Sequence, residues 1–354
     1  MRILVINPGS TSTKISIFEG EKEIFSKKID HPLEEIAAFK NISDQLNLRE
    51  RVVLKTLEES GYRVDDFDAI GARGGNTHPL ESGVYRVNEK MVEDLLSLKY
   101  GAHVSNLAAP IAFNLARGFN IPCFTVDPVI VDEMQPIAKI TGLKGILREA
   151  KDHPLNQKAA AREAAKAIGK KYEDCSFIVA HLGGGISIAS HRKGRIVDVN
   201  NALNGDGPFS PERAGDLPNI ALLNLCLSGE YTKEQILKML AGKGGFVSHV
   251  GTNSLIEVEK MIDEGNDYAR LVYDAMIYQI SKEIGKHAVV LKGQIDGIVL
   301  TGGLAYSEQL VNNIKEYVSF IGPVFVYPGE HEMEAIAQGI LRVYRGEEKE
   351  KEYS

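Results

Sequence analysis

No disulfide framework is available to this chain. Cysteine occurs three times, at Cys123, Cys175 and Cys226, far apart and with no CxxC spacing. An odd, scattered set does not staple a small secreted fold, and it points to a reducing, cytoplasmic setting. Long apolar runs are also missing. None approaches the ~18 residues that a membrane span needs, and the first apolar run, ended by Asn7, is too short for the core of a signal peptide. A basic surplus is missing too. The 41 Lys+Arg against 48 Asp+Glu leave a net charge of -7, which argues against a nucleic-acid partner. Small anionic ligands stay open, because a few local basic residues suffice for them. No HExxH or paired-cysteine spacing suggests zinc.

What is present is an ordinary globular composition, 44% hydrophobic and 25% charged. A chain of 354 residues is long for one core, so two domains are expected. The closing RGEEKEKEYS reads as the solvated end of a last helix.

The first informative stretch is NPGSTSTK, residues 7–14. It combines a tight turn, four hydroxyl side chains in a row and one lysine. The standard phosphate loop, GxxxxGK[ST], opens a helix. Here Lys14 to Phe18 instead alternates polar and apolar residues, which predicts a strand. The segment reads as strand, Pro-Gly turn, strand. Taken alone it is either a plain hairpin or one wall of an anion site. The arrangement occurs twice. Residues 176–202, SFIVAHLGGGISIASHRKGRIVDVNNA, again give strand, glycine turn (Gly183, Gly184, Gly185), strand, turn, strand. Strand-like and helical runs follow in both halves, with helices expected over Pro154 to Gly169 and over 256–288, where Leu271, Ala275, Ile280 and Ile284 supply a helical stripe. The expectation is an α/β chain with two copies of one unit. Facing glycine hairpins would leave backbone N–H groups in the gap between the copies, a fitting cradle for nucleotide phosphates. A third glycine element, DGIVLTGGLAYSEQL, puts Gly302 and Gly303 between a buried strand and a helix, where a bare backbone can approach a base or ribose.

These elements resemble the acetate and sugar kinase, heat-shock chaperone and actin superfamily, and within it the acetate and butyrate kinase family. NPGSTSTK, GARGG, YGAHVSNLAAPIA, TVDP, DHPLNQKA, AHLGGGIS, PERAGDLP and LTGG stand in the family's order over nearly the whole chain. The opening is similar to that of butyrate kinases; acetate kinases tend to have Ala where this chain has Pro8. The resemblance implies duplicated ribonuclease-H-like domains with a nucleotide cleft between them. Expected boundaries are 1–133 with 334–354, and 134–333, the second supplying the interface of a homo-oligomer of at least two chains. It implies a phosphotransferase with ATP as cosubstrate and Mg2+ as cofactor, acting on a small carboxylic acid.

A carboxylate acceptor is already ionised at neutral pH. It needs no general base. It needs positive charge and positioning against a triphosphate. By resemblance, Arg73 (GARGG) and Arg213 (PERAGD) clamp the carboxylate and the transferring group, which suits a guanidinium. His153 donates to the phosphoryl group in the transition state. His103, with Ala102 and Gly75, lies by the substrate, and His181 faces the phosphates. Asn7, Ser10, Ser12 and Lys14 form the first phosphate hairpin; alternate residues of a strand share a face. Asp127 and Glu332, with Asn7, are implied around magnesium. The remaining histidines, such as His31, His191 and His287, are expected to be surface or structural.

Small residues at Ala102 and in Arg73-Gly74-Gly75 predict a pocket roomier than an acetate kinase needs, so butyrate and isobutyrate are expected above propionate, with acetate poor. One methylene is worth only about 1–3 kcal/mol, so selectivity is not strict. The family's adenosine-contacting Asp and Arg are replaced here by Ser254, Leu255 and Ile256 in GTNSLIEVE. Two other readings remain: an acetate or propionate kinase, and a non-catalytic ATP-binding sensor of the same superfamily.

Overall fold

The computed structural model describes residues 1–354. The chain forms two compact units, Met1–Asp132 with His331–Ser354, and Glu133–Glu330.

In the first unit, β1 (Arg2–Pro8), β2 (Ser12–Glu19) and β3 (Lys22–Asp30) make an antiparallel meander. Ile3 to Ile6 are fully buried, so β1 shows the continuous apolar run of a strand covered on both faces. The outer β3 is largely exposed and carries Lys22, Lys27 and Lys28, which discourages pairing at that edge. After it come β4 (Ala69–Ala72), β5 (Val84–Arg86) and β6 (Cys123–Val126), with β4 parallel to both β1 and β6. The helices Leu46–Glu59 and Ala108–Ala116 cover one face through Val53, Leu57, Ile111 and Leu115. The helix Glu332–Tyr344 also packs on this sheet. It comes so close that a Cβ at Gly71 would lie 2.5 Å from Ile336, and one at Gly339 would lie 2.6 Å from Val126.

The chain end is not a solvated helix tail. The helix stops at Tyr344, and Lys351–Glu352 returns as a short strand parallel to β5. Tyr353 is 1% exposed and donates to Asp94 at 2.7 Å. The charges of RGEEKEKEYS concealed this, because one buried tyrosine in a polar run leaves no periodicity to read.

The second unit repeats the plan with β7 (Ser176–Leu182), β8 (Ile186–Arg192), β9 (Arg195–Val199), β10 (Gly297–Gly302) and β11 (Val324–Pro328). Its strand order is β11-β10-β7-β8-β9, with β7, β10 and β11 parallel. The first unit shows the same run, β6-β4-β1-β2-β3. The two sheets are therefore the same ribonuclease-H-like unit built twice. One face is packed by the alanines of the helix Pro154–Ala167. The other is packed by Leu255–Asp263, Asp267–Val290 and Glu308–Val318.

The single helix expected over 256–288 is two. Gly265 sits at φ 88° between them, and Asn266 caps the second by accepting from Ala269 N. Leu271 is 63% exposed. The buried stripe runs through Ala269, Val272, Tyr273, Met276, Ile280 and Ile284, so Ile280 and Ile284 stand on the expected face, Ala275 packs against it, and Leu271 alone of the four turns outward.

Candidate active site

In the first unit the sequence-predicted residues gather at one edge of the sheet. Register pairs Ile6 with Ala72 and Ala72 with Thr125. The next residues out are Asn7 on β1 and Arg73 after β4, and one residue further stands Asp127, just past β6. Three neighbouring parallel strands thus end in an amide, a guanidinium and a carboxylate. Ligands of open α/β sheets bind outside such carboxyl ends. Glu332, first residue of its helix, joins them: its Oε2 accepts from Asn7 Nδ2 at 2.8 Å and from Arg73 Nη1 at 2.7 Å. Arg73 Nε is buried without a hydrogen-bond partner.

Asp127 is 2% exposed, with its backbone at φ 39° ahead of Pro128. A non-glycine residue holds that conformation at a cost. The cost is offset by a two-way bond with Gly83, whose N–H donates to Asp127 Oδ1 at 2.8 Å and whose carbonyl accepts from Asp127 N at 3.0 Å.

The corner Gly9–Thr11 between β1 and β2 is held from behind by a residue that the sequence reading missed. Arg49 is 0% exposed. It donates to Gly9 O (3.0 Å), Ser12 O (2.9 Å), Thr13 Oγ1 (3.1 Å), Ser10 O (3.2 Å) and Gln45 Oε1 (3.1 Å). No carboxylate is among these partners, and burial pushes its pKa down to about 10. In sequence Arg49 is one more basic residue on an amphipathic helix, and no motif marks it. The four hydroxyls also divide. Thr13 turns inward, bonded to Arg49 and to the buried His31. Lys14 stands exposed, directly across from Asn7. Ser10 lies in the corner rather than on β2, so the shared-face argument holds for Ser12 and Lys14 and not for Ser10.

His103 caps the short helix Val104–Leu107, its Nδ1 lying 2.7 Å from Ser105 Oγ. Desolvation, and after it the Arg73 charge, holds its imidazole below the ordinary histidine range. Ala102 beside it is exposed. Gly75 does not open a pocket. A Cβ there would lie 2.6 Å from Asn106 Cα and 2.8 Å from Leu95, and one at Gly74 would lie 2.2 Å from Pro128. These glycines admit neighbouring protein, so the volume argument rests on Ala102 alone.

The second unit makes its own cluster at the carboxyl ends of β7, β10 and β11. His181 is the penultimate residue of β7, and Gly183–Gly185 form the corner to β8. His153 precedes the helix Pro154–Ala167 and makes no side-chain capping bond. Its ring lies flat on that of His181, centroids 3.8 Å apart and planes 11° apart. His153 Nδ1 is 2.8 Å from Ser187 Oγ, and His181 Nδ1 is 2.7 Å from Asn156 Oδ1. The His181 Nε2 atom lies 3.3 Å from Glu330 Oε1.

The Arg213 loop is tied to the glycine corner by Ser210, whose Oγ donates to Gly184 O at 2.5 Å and accepts from Arg213 N at 3.1 Å. Arg213 Nη1 reaches Glu212 at 3.4 Å, and its Nε, like that of Arg73, is buried without a partner. Upstream, Asp206 accepts from Asn201 N; burial raises its pKa to about 6. Gly302, at φ 89°, could carry no side chain, because a Cβ would lie 2.4 Å from Leu182 O. Its absent side chain is explained by protein. Gly303 alone of the pair meets nothing within 4 Å. In the GTNSLIEVE stretch, Ser254 caps the helix Leu255–Asp263 and Ile256 is 79% exposed.

The family model of the acetokinases matches residues 144–324, just over half of the chain. The chain belongs to the acetokinase family. Membership makes it a carboxylate phosphotransferase, with ATP/ADP and a carboxylic acid as substrates. Among solved structures, an acetate kinase from Porphyromonas gingivalis matches with a TM-score of 0.79 at 19% identity, covering 97% of this chain and 99% of that one. A propionate kinase from Francisella tularensis subsp. tularensis SCHU S4 matches with a TM-score of 0.74 at 17% identity, over 96% and 98%. An acetate kinase from Entamoeba histolytica gives 0.75 at 16%, also over 96% and 98%. At such identities these structures speak for the fold.

The donor set suits the family's reaction. The first unit offers Arg73 and Lys14 and the second Arg213, His153 and His181, each unit with a bare backbone corner of its own. Among the acids, Asp127 and Glu332 in the first unit are hard oxygen donors. No group of three His, Cys, Asp or Glu side chains could hold a metal ion. As donors, Asp127 and Glu332 fit magnesium, which usually arrives on phosphates, keeps several waters and takes one or two carboxylates from the protein. No helix is long and apolar enough to cross a membrane.

Proposed function

We propose that this kinase transfers the γ-phosphoryl group of ATP reversibly to butyrate or a branched four- to five-carbon acid. Arg73 and Arg213 hold the acid's carboxylate and the transferring group. His153 donates to the phosphoryl oxygens as charge moves. The corners Gly9–Thr11 and Gly183–Gly185, with Ser10, Ser12, Lys14 and His181, receive phosphates, and the backbone at Gly303 approaches the adenosine. Asp127, Glu332 and Asn7 would hold magnesium, directly or through its waters; bound there, the ion would neutralise phosphate charge. In this reading the protein's own work is electrostatic, because the attacking carboxylate is born ionised.

The observation that carries the reaction class is the pair of arginines. Each is fixed by a loop at its unit's glycine edge, and each retains a buried Nε–H with no protein acceptor. The acyl preference rests on exposed Ala102 beside His103, where acetate kinases have a bulky apolar residue. The test is acyl-phosphate formation from Mg-ATP, trapped with hydroxylamine, across acetate, propionate, butyrate, isobutyrate and valerate. A maximum at four or five carbons is expected. A maximum at acetate would overturn the acyl preference and keep the kinase. No product with any acid, from protein that binds ATP, would favour the sensor.

We also propose a homo-oligomer formed through the second unit. The helix Asn219–Leu227 has no buried residue and no charged one, and it exposes Ile220, Leu223 and Leu227. Such a patch marks an interaction surface. Light scattering is expected to give a mass of at least two chains, reduced to one in Leu223→Glu. A monomeric parent protein would rule this out.

A further inference from the structure

We propose that Tyr172, His191, Gln157 and Ser187 form a buried, one-directional hydrogen-bond relay that fixes His153 in the tautomer with its proton on Nε2. The use made of that proton rests on the function proposed above; the tautomer does not.

The direction follows from groups that can act in only one way. Gln157 Nε2 lies 3.3 Å from the Ser187 backbone carbonyl and 2.7 Å from Ser187 Oγ. A carbonyl only accepts, so the amide nitrogen belongs on that side. Gln157 Oε1 then faces His191 Nε2 at 3.0 Å, and this nitrogen must carry hydrogen. His191 is 0% exposed. Burial, followed by the Lys158 and Arg162 charges, holds its pKa well below the ordinary value, so the ring is neutral. Its Nδ1 is therefore an acceptor, and Tyr172 Oη donates to it at 2.7 Å. At the other end, Ser187 Oγ has one proton to give. It receives from Gln157 and gives to His153 Nδ1, 2.8 Å away.

The neighbouring ring is set the opposite way. Asn156 Nδ2 donates to Gly329 O at 3.1 Å, which turns its Oδ1 toward His181 Nδ1 at 2.7 Å. His181 thus carries its proton on Nδ1. The stacked imidazoles thus differ at Nδ1, bare on His153 and protonated on His181, each set by an amide whose own orientation is fixed by a backbone carbonyl. For His153 the consequence is chemical. A neutral ring with Nε2–H offers a donor to an oxyanion; the other tautomer would offer a lone pair and repel it. Ser187 and Gln157 are thereby positioning residues, acting through His153.

The test uses full-length protein labelled with 15N-histidine. Two-bond 1H–15N correlation spectra report which ring nitrogen carries hydrogen, and the His153 signals are those lost in His153→Gln. The wild type is expected to show a bare Nδ1 and a protonated Nε2. Ser187→Ala should give a tautomer mixture, with kcat lower by about ten- to a hundredfold and KM values moving less than about twofold. Ser187→Thr, which keeps the hydroxyl, should restore both. His153 protonated on Nδ1 in the wild type, or unaltered by Ser187→Ala, would overturn the relay. A shifted tautomer with unchanged kcat would overturn its catalytic use and remove His153 from the proposed mechanism. The spectra read the relay even in protein that phosphorylates none of the acids above, so the two ideas fail separately.

Discussion

Arg73→Ala is expected to lower kcat/KM for acyl-phosphate formation by about a thousandfold, the scale on which removing a group that stabilises transition-state charge acts. The fold should survive. Arg73 is a quarter exposed and its ion pair with Glu332 is the bond lost, while Glu332 keeps Asn7. A partly solvated pair of this kind contributes little to stability. Arg73→Lys should recover only a small part, because an ammonium cannot both hold Glu332 and present a planar fork to an oxyanion. The hydroxylamine assay with butyrate, run beside a urea melt, separates the two effects. Activity within about threefold of wild type would remove Arg73 from the reaction.

The second large effect is expected at Arg49, and it is a stability effect. Arg49→Met should cost about 2–4 kcal/mol, judged from charged hydrogen bonds lost and carbonyls left without donors. Five bonds radiate from this guanidinium, four of them to the stretch Gly9–Thr13. Methionine fills the volume and offers no donor. Arg49→Lys should fall between, since one nitrogen cannot reach carbonyls spread around the corner. Because those carbonyls shape the first glycine corner, the KM for ATP should rise in both variants. Urea midpoints and initial rates at varied Mg-ATP check this. A loss below about 1 kcal/mol with an unchanged KM would show that the corner holds itself.

The sequence made the repeat visible through its turns. Two glycine corners, each between an apolar run and an alternating strand, mark two copies of one sheet, because glycine and strand periodicity are local properties. The same applies to Arg73, Asp127, His153 and Arg213, which stand at strand ends or in loops within short motifs. Arg49 and Gln157 were not legible as parts of a site. Each lies mid-helix, and its importance is a matter of which distant atoms it meets: Arg49 is 40 positions from Gly9, and Gln157 is 30 from Ser187.

Some readings failed for the same reason. Gly75 and Gly302 looked like space left for ligands, yet Asn106, Leu95 and Leu182 occupy it. A missing side chain records close approach without saying what approaches. The tail failed because Tyr353 finds Asp94 across 259 positions, and no local pattern announces a partner at that distance.

The sequence by itself determined the two-fold repetition and the strand and corner positions, since these follow from backbone sterics and local periodicity. Only the tertiary structure decided that Glu332 takes both Asn7 and Arg73, that Arg49 holds the first corner, and that two histidines stack. Those are long-range contacts, and their geometry exists only once parallel strands bring distant segments to one edge.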